Sequence, residues 1–221
     1  MPWLSPSREP AVFYVTDRRA LGDDGAISRL LETIARVATA GVDAIQIREK
    51  DLPSHTLLEL AAQAAARIPA ATKLLVNDRL DVAIAAGAAG VHLGGESVPV
   101  ADAVTLREKA CAASSFLVGR SCHSLDEVLA AERDGADYVF FGPVFRTPAK
   151  ERYGTPQGTE ALAAVCSRAK IPVIAIGGIT LENAAICAAA GAKGIAAIRL
   201  FQEALDPPSV VQRLKELAAS G

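Results

Sequence analysis

The chain carries almost no net charge: 25 acidic residues against 23 lysines and arginines leave −2 at neutral pH. No basic field marks it for nucleic acid or for an acidic membrane surface. No apolar run approaches the roughly 20 residues of a membrane-crossing helix, and the first residues do not read as a secretory signal peptide. Cysteine is sparse. Cys111, Cys122, Cys166 and Cys187 form no Cys-x-x-Cys pair, so they read as reduced thiols of a cytoplasmic protein. Three read as small core residues; Cys122 falls where a site is expected and is either core or site. A linker or break in composition is also missing. Residues 1–221 therefore read as one domain, with residues 1–10 as a short extended arm.

What the chain has is apolar bulk and a repeat. Hydrophobic residues make up 51% of it, enough for a sizeable core. Four times a glycine follows an Ala-rich helical run and opens a short apolar strand: at Gly41, Gly87, Gly135 and Gly191. Glycine suits the left-handed cap that ends a helix. The copies lie roughly fifty residues apart, about two strand–helix units each. Four double units make eight, the count of a single (β/α)8 TIM barrel, whose site lies at the carboxyl ends of its strands. A doubly wound open sheet is the alternative. The missing Gly-x-Gly-x-x-Gly turn after strand one counts against its nucleotide-binding version.

The expected strands are Val12 to Thr16, Ala44 to Arg48, Leu74 to Asn77, Gly90 to Leu93, Phe116 to Ser121, Tyr138 to Phe141, Pro172 to Ile176 and Gly194 to Ile198. Helix one runs from about Ala26 to Ala40, and helix two follows Pro53 and Ser54. Ser124 with Glu127 reads as a capping box for helix five. Thr180 is expected to cap helix seven, and the last helix to begin near Ser209.

The strand ends collect polar chemistry. Arg48, Lys50 and Lys150 suit phosphate oxygens, arginine as a bidentate fork and lysine as a point charge; each can equally be a solvated rim charge. Asp78 beside Asn77 can hold Mg²⁺ or cap the helix that follows. Gly177 and Gly178 either offer backbone N–H groups to an anion or simply make a tight turn. His55 reads as a helix-surface residue and His92 as a barrel-lining one. His123, flanked by Cys122 and Ser124, is the candidate general acid–base, with loop packing as its other reading.

In order along the chain stand Tyr14-Val15-Thr16-Asp17, Gln46-Ile47-Arg48-Glu49-Lys50, Asn77-Asp78-Arg79, Gly90-Val91-His92-Leu93-Gly94, Gly135-Ala136-Asp137-Tyr138-Val139, Gly142-Pro143-Val144-Phe145 with Thr147 and Lys150, and Ile176-Gly177-Gly178-Ile179. From about residue 12 to 202 the chain resembles the thiamine phosphate synthase superfamily, which also contains the thiazole tautomerases. The resemblance implies a (β/α)8 barrel. It also implies thiamine biosynthesis: a transferase that joins a pyrimidine methyl pyrophosphate to a thiazole phosphate and releases pyrophosphate. Carried over by motif, Gln46, Arg48, Lys50, Asn77 and Lys150 handle the pyrophosphate, with Asp78 on Mg²⁺. Ser121 matches a site serine, Thr147 a polar residue near the phosphate groups, and Gly177 with Gly178 the thiazole phosphate cradle. Small-molecule phosphates and pyrophosphates are the implied partners. Barrels of this type often pair through outer helices, so a homo-oligomer stays open, although no apolar stripe identifies a contact.

Three departures stand out. The family's Gly-Gln-Glu/Asp-Asp reads Gly94-Gly95-Glu96-Ser97 here, so Ser97 replaces an expected Mg²⁺ carboxylate. Glu96 is the available substitute ligand if its side chain turns inward. Ala149 replaces a frequent threonine. Arg199 replaces a small serine beside the thiazole phosphate, where it adds a phosphate contact or crowds the pocket. The expected set is therefore Lys150, Ser121 and His123 in catalysis, Gln46, Arg48, Lys50, Asn77, Thr147, Gly177, Gly178 and Arg199 on substrate, and Asp78 with Glu96 on metal. Arg120-Ser121-Cys122-His123-Ser124 also matches the tautomerase context for a proton-moving histidine. Synthase, tautomerase and a non-catalytic thiazole or thiamine phosphate binder are the three readings, in that order.

Overall fold

The structure, a computed structural model, describes residues 10–22, 25–110, 115–146 and 156–219. Eight parallel strands close into a barrel in sequence order: β1 (Ala11–Val15), β2 (Ala44–Ile47), β3 (Lys73–Asn77), β4 (Gly90–Leu93), β5 (Leu117–Cys122), β6 (Tyr138–Phe141), β7 (Val173–Ile176) and β8 (Gly194–Ala197). The helices are α1 (Ala26–Thr39), α2 (Ser54–Ala65), α3 (Leu80–Ala85), α4 (Val100–Ala110), α5 (Leu125–Arg133), α6 (Gly158–Arg168), α7 (Ala184–Ala189), α8 (Arg199–Gln202) and α9 (Pro207–Ala219). The closed sheet excludes the open doubly wound alternative. The arm's first nine residues and Cys111 lie outside the described residues.

The glycine repeat sets the frame. Gly41, Gly87, Gly135 and Gly191 precede β2, β4, β6 and β8, and all four have positive φ, between 63° and 94°. Each donates its N–H to the carbonyl three residues back, at 3.0, 3.1, 3.1 and 2.8 Å, which closes the last helical turn and releases the chain toward the barrel. In two copies the aspartate after the glycine ties the base of the barrel. Asp43 accepts from Val12 N at 2.9 Å and Asp137 from Val118 N at 2.7 Å.

Alternation along each strand divides the core in two. Outward residues such as Ile45, Val76, Val91 and Val139 meet the helices. On α1, Leu30, Leu31, Ile34, Val37 and Ala38 recur at helical spacing and are buried against them. Each such aliphatic side chain contributes about 1.5–3 kcal/mol by burial. Inward residues form a smaller cluster of Phe13, Leu75, Tyr138, Phe140 and Ile174 with Ala11, Ala44 and Ala196. The barrel is filled by side chains, so ligands are restricted to its mouth.

Two expected helix starts are corrected. Thr180 does not cap α7. It opens a turn in which Asn183 Oδ1 accepts from Thr180 N at 2.8 Å and Asn183 Nδ2 donates to the Gly178 carbonyl at 2.8 Å. The last helix begins at Pro207 rather than near Ser209, because proline fits a first helical turn. The Ser124–Glu127 box is half formed. Ser124 Oγ accepts from Glu127 N at 3.2 Å, but the Glu127 carboxylate accepts from His123 N at 2.7 Å.

Candidate active site

At the carboxyl end of the barrel the ends of β2, β3 and β4 form one hydrogen-bonded unit. Gln46 points inward and is 2% exposed. Its Nε2 donates to Asn77 Oδ1 at 2.8 Å, and Asn77 Nδ2 donates to Asp78 Oδ2 at 2.6 Å. Asp78 is a non-glycine residue at φ 61°, an uncommon conformation that turns its carboxylate across the mouth. Its Oδ1 accepts from Gly94 N at 2.8 Å and from the Ser97 hydroxyl. Lys50 Nζ stands 3.8 Å from Oδ2. Burial pushes the Asp78 carboxyl up, but Ser97, the Gly94 amide, Lys50 and Asn77 together hold it below the ordinary carboxylate value. Asp78 is therefore a charged group built into the mouth. The helix-cap reading fails, because no side-chain bond caps α3.

The Arg48 backbone is tied, through Thr16, to Glu49. Glu49, two residues past the end of β2, is 4% exposed. It accepts from Thr16 Oγ1 at 2.6 Å, from Arg18 N at 3.2 Å and from Arg18 Nη1 at 3.1 Å. Thr16 Oγ1 in turn accepts from Arg48 N at 2.9 Å. The ends of β1 and β2 are thereby locked, while Lys50 reaches Asp78. Burial pushes the Glu49 carboxyl up, against the pull of Thr16 and Arg18.

β5 brings Ser121 and His123. Ser121 Oγ lies 2.9 Å from His92 Nε2. His123 is exposed, and its Nδ1–H donates to the Gly142 carbonyl, which leaves Nε2 as the open acceptor. Cys122 points outward between them, fully buried, and burial pushes its thiol up to about 12. It belongs to the core. Arg120 holds the β4 loop, donating to the Gly94 carbonyl at 2.5 Å.

The other half of the mouth is a cavity of roughly 660 Å³ lined by Asp17, Arg146, Gly177, Gly178 and Arg199, among others. Gly177 and Gly178 have φ of 96° and 69°. A Cβ on Gly177 would lie 2.6 Å from Pro143 Cα, and one on Gly178 2.6 Å from the Arg146 carbonyl oxygen. The pair is more than a tight turn: only glycine lets this loop lie against the segment after β6 and still line the cavity. Arg199, the first residue of α8, is exposed on the same wall.

Most of the expected residues thus share the barrel mouth, in two halves. Thr147 and Lys150 lie outside the described residues. Glu96 is exposed and makes no hydrogen bond to a described residue. Among the described residues no group of three or more His, Cys, Asp or Glu gathers as a metal site. None of their helices is long and apolar enough to cross a membrane.

Residues 12–201 match the thiamine monophosphate synthase family. The chain belongs to that family. Within it, the chain is 43% identical over 199 residues to a putative thiamine-phosphate synthase of Geobacter sulfurreducens, covering 89% of each chain. It is 37% identical over 218 residues to a thiamine-phosphate synthase of Roseiflexus castenholzii, covering 97% of this chain and 90% of that one. A thiamine phosphate pyrophosphorylase structure from Pyrococcus furiosus superposes with a TM-score of 0.79 at 33% identity, covering 96% of each chain. A geranylgeranylglyceryl phosphate synthase from Thermoplasma acidophilum, 17% identical with a TM-score of 0.70, covers 97% of this chain and 95% of that one and shares the fold alone. Against this thiamine monophosphate synthase background, Glu49, Ser97 and Arg120 are the residues that sequence reasoning left without a role. Glu49 sat inside the quoted Gln46–Lys50 motif, which was the available signal. Ser97 replaces an expected carboxylate, and in its place supplies a hydrogen-bond donor to Asp78.

Proposed function

We propose that this chain is a thiamine-phosphate synthase: it joins hydroxymethylpyrimidine pyrophosphate to a thiazole phosphate and releases pyrophosphate. The observation that carries the reading is Gln46 Oε1, which is buried and has no partner among the described residues. A buried acceptor left unpaired costs about 1–3 kcal/mol, so a ligand donor belongs there. The exocyclic amine of an aminopyrimidine is such a donor. The Asp78–Asn77–Gln46 chain fixes the amide so that its oxygen, not its nitrogen, is presented.

Arg48, Lys50 and Lys150 then neutralise the pyrophosphate beside the pyrimidine, and the Thr147 hydroxyl donates a hydrogen bond near the phosphate groups. The bond from the pyrimidine methylene carbon to oxygen breaks with its electron pair leaving on pyrophosphate. The thiazole nitrogen lone pair captures the resulting cation. Fixed positive charge aimed at the departing anion is the main catalytic contribution, and no strong protein nucleophile is required. Gly177, Gly178 and Arg199 receive the thiazole phosphate in the cavity. Asp78, the carboxylate at the mouth, would hold a Mg²⁺ together with substrate phosphate oxygens, since this ion commonly uses one or two protein carboxylates. When bound, the ion adds charge neutralisation at the pyrophosphate. Glu96 would join only by turning inward. The buried, unpaired thiols of Cys122 and Cys187 suit a cytoplasmic enzyme.

A thiazole tautomerase is the second reading, favoured by the open Nε2 acceptor of His123. Turnover with both substrate sets separates the two. Pyrophosphate release from the pyrimidine pyrophosphate and thiazole phosphate pair supports the synthase; thiazole carboxylate isomerisation without that release supports the tautomerase. Binding without either would leave a non-catalytic role.

A further inference from the structure

Inside the barrel, directly beneath Ser121, lies a buried polar chain that the reaction as described does not use. His92 is 1% exposed and Tyr138 0%. Tyr138 Oη is 3.1 Å from His92 Nδ1, and His92 Nε2 is 2.9 Å from Ser121 Oγ. The three residues come from consecutive strands β4, β5 and β6, and their meeting depends on Gly119. His92 pairs in register with Gly119, and Gly119 pairs with Tyr138. A Cβ at Gly119 would lie 2.2 Å from the Tyr138 ring. The missing side chain therefore lets the imidazole and the phenol touch across β5, with Ser121 two residues further along the same face. Phe140 packs on the imidazole with ring centroids 4.1 Å apart, so the ring is held in place.

Each of the two hydrogen bonds can run in either direction, according to the His92 tautomer. Burial pushes the Tyr138 phenol far up, so it keeps its proton and can donate. With the phenol donating to Nδ1, Nε2 carries the imidazole proton and donates to Ser121 Oγ. Ser121 then has one lone pair occupied from below, and its own proton is free to turn toward the mouth. In the reverse arrangement Nε2 would accept that proton, and Ser121 would show an anion only lone pairs.

We infer that His92, backed by Tyr138, is a positioning residue that keeps Ser121 a hydrogen-bond donor toward the anionic oxygens of the leaving group. The inference rests on the synthase reading above.

The test is a double-substitution cycle on the full chain, measuring kcat and KM for pyrophosphate release. His92→Leu is expected to lower kcat about 10- to 100-fold, the worth of a hydrogen bond to a charged group. In a Ser121→Ala background the same substitution is expected to change kcat by less than about twofold, because coupled residues are not additive. His92→Gln keeps an N–H near the Nε2 position and should recover most of the loss. Tyr138→Phe preserves the packing and should give a smaller loss that also vanishes in Ser121→Ala. If His92→Leu does not fold, His92→Gln and Tyr138→Phe carry the cycle. Equal losses with and without Ser121 would mean a merely structural role and overturn the inference. So would wild-type kcat in Tyr138→Phe and His92→Leu. A wild-type chain that releases no pyrophosphate from the substrate pair would instead overturn the synthase reading, and the inference with it.

Discussion

Replacing Glu49 by alanine is expected to cost about 2–4 kcal/mol of stability, although Glu49 touches no proposed substrate. The figure is built from three parts. Thr16 Oγ1 is fully buried and donates to Glu49 at 2.6 Å; stranding it costs about 1–3 kcal/mol. Arg18 N loses both of its 3.2 Å contacts to the carboxylate, about 1 kcal/mol more. The Arg18 guanidinium loses a 3.1 Å contact but keeps Asp51, so its loss is small. Relief from burying a carboxylate roughly offsets that small loss, so the sum stays at about 2–4 kcal/mol. Glu49→Gln keeps an acceptor for Thr16 and should lose less than half as much. Urea unfolding followed by far-UV circular dichroism measures both. Because Thr16 also holds Arg48 N, KM for the pyrophosphate substrate should rise in Glu49→Ala. An alanine variant within about 0.5 kcal/mol of wild type, the range of an ordinary surface change, would refute the locked strand ends.

Gly178→Ala is expected to destabilise by about 1–3 kcal/mol through positive-φ strain and to raise KM for the thiazole phosphate, since its Cβ would lie 2.6 Å from a backbone carbonyl; unchanged acceptor KM would remove the pair from the cradle. Ser97→Asp should lower the Mg²⁺ concentration needed for half-maximal activity, with an identical Mg²⁺ titration counting against Asp78 as the metal ligand. Hydrogen bonding from Arg18 holds the Asp51 carboxyl well below its usual value. That contribution to stability is whole above about pH 4, near the unfolded value, and fades as pH falls toward the folded one. Asp51→Asn should therefore flatten the acid limb of stability below about pH 4, and a limb of unchanged slope would contradict the pairing.

The barrel was legible because its repeat has a physical cause. Each of four helices ends on a positive-φ glycine, and apolar strands buried on both faces follow. Strand limits came within a residue for the same reason. The helix starts at Thr180 and Ser209 were not legible, because in each case a neighbour competed for the role: Asn183, with both an acceptor and a donor, took the turn, and Pro207 fixed an earlier first helical residue. Of the site, the residue types at the strand ends were visible. Their hydrogen-bond order was not, because the sequence does not say that Asp78 adopts φ 61°. Nor could it say that Ser97 donates to Asp78, or that Cys122 turns away while Ser121 and His123 flank it.

The most direct test compares Asp78→Ala with His123→Ala, reading pyrophosphate released from the pyrimidine pyrophosphate and thiazole phosphate pair in the presence of Mg²⁺. A mouth built to stabilise a departing pyrophosphate predicts near-complete loss of Mg²⁺-dependent release in Asp78→Ala and a mild effect in His123→Ala. The reverse order, with His123→Ala losing on the order of 10²–10⁴ in rate as general acid–base catalysis would and Asp78→Ala little changed, would contradict it.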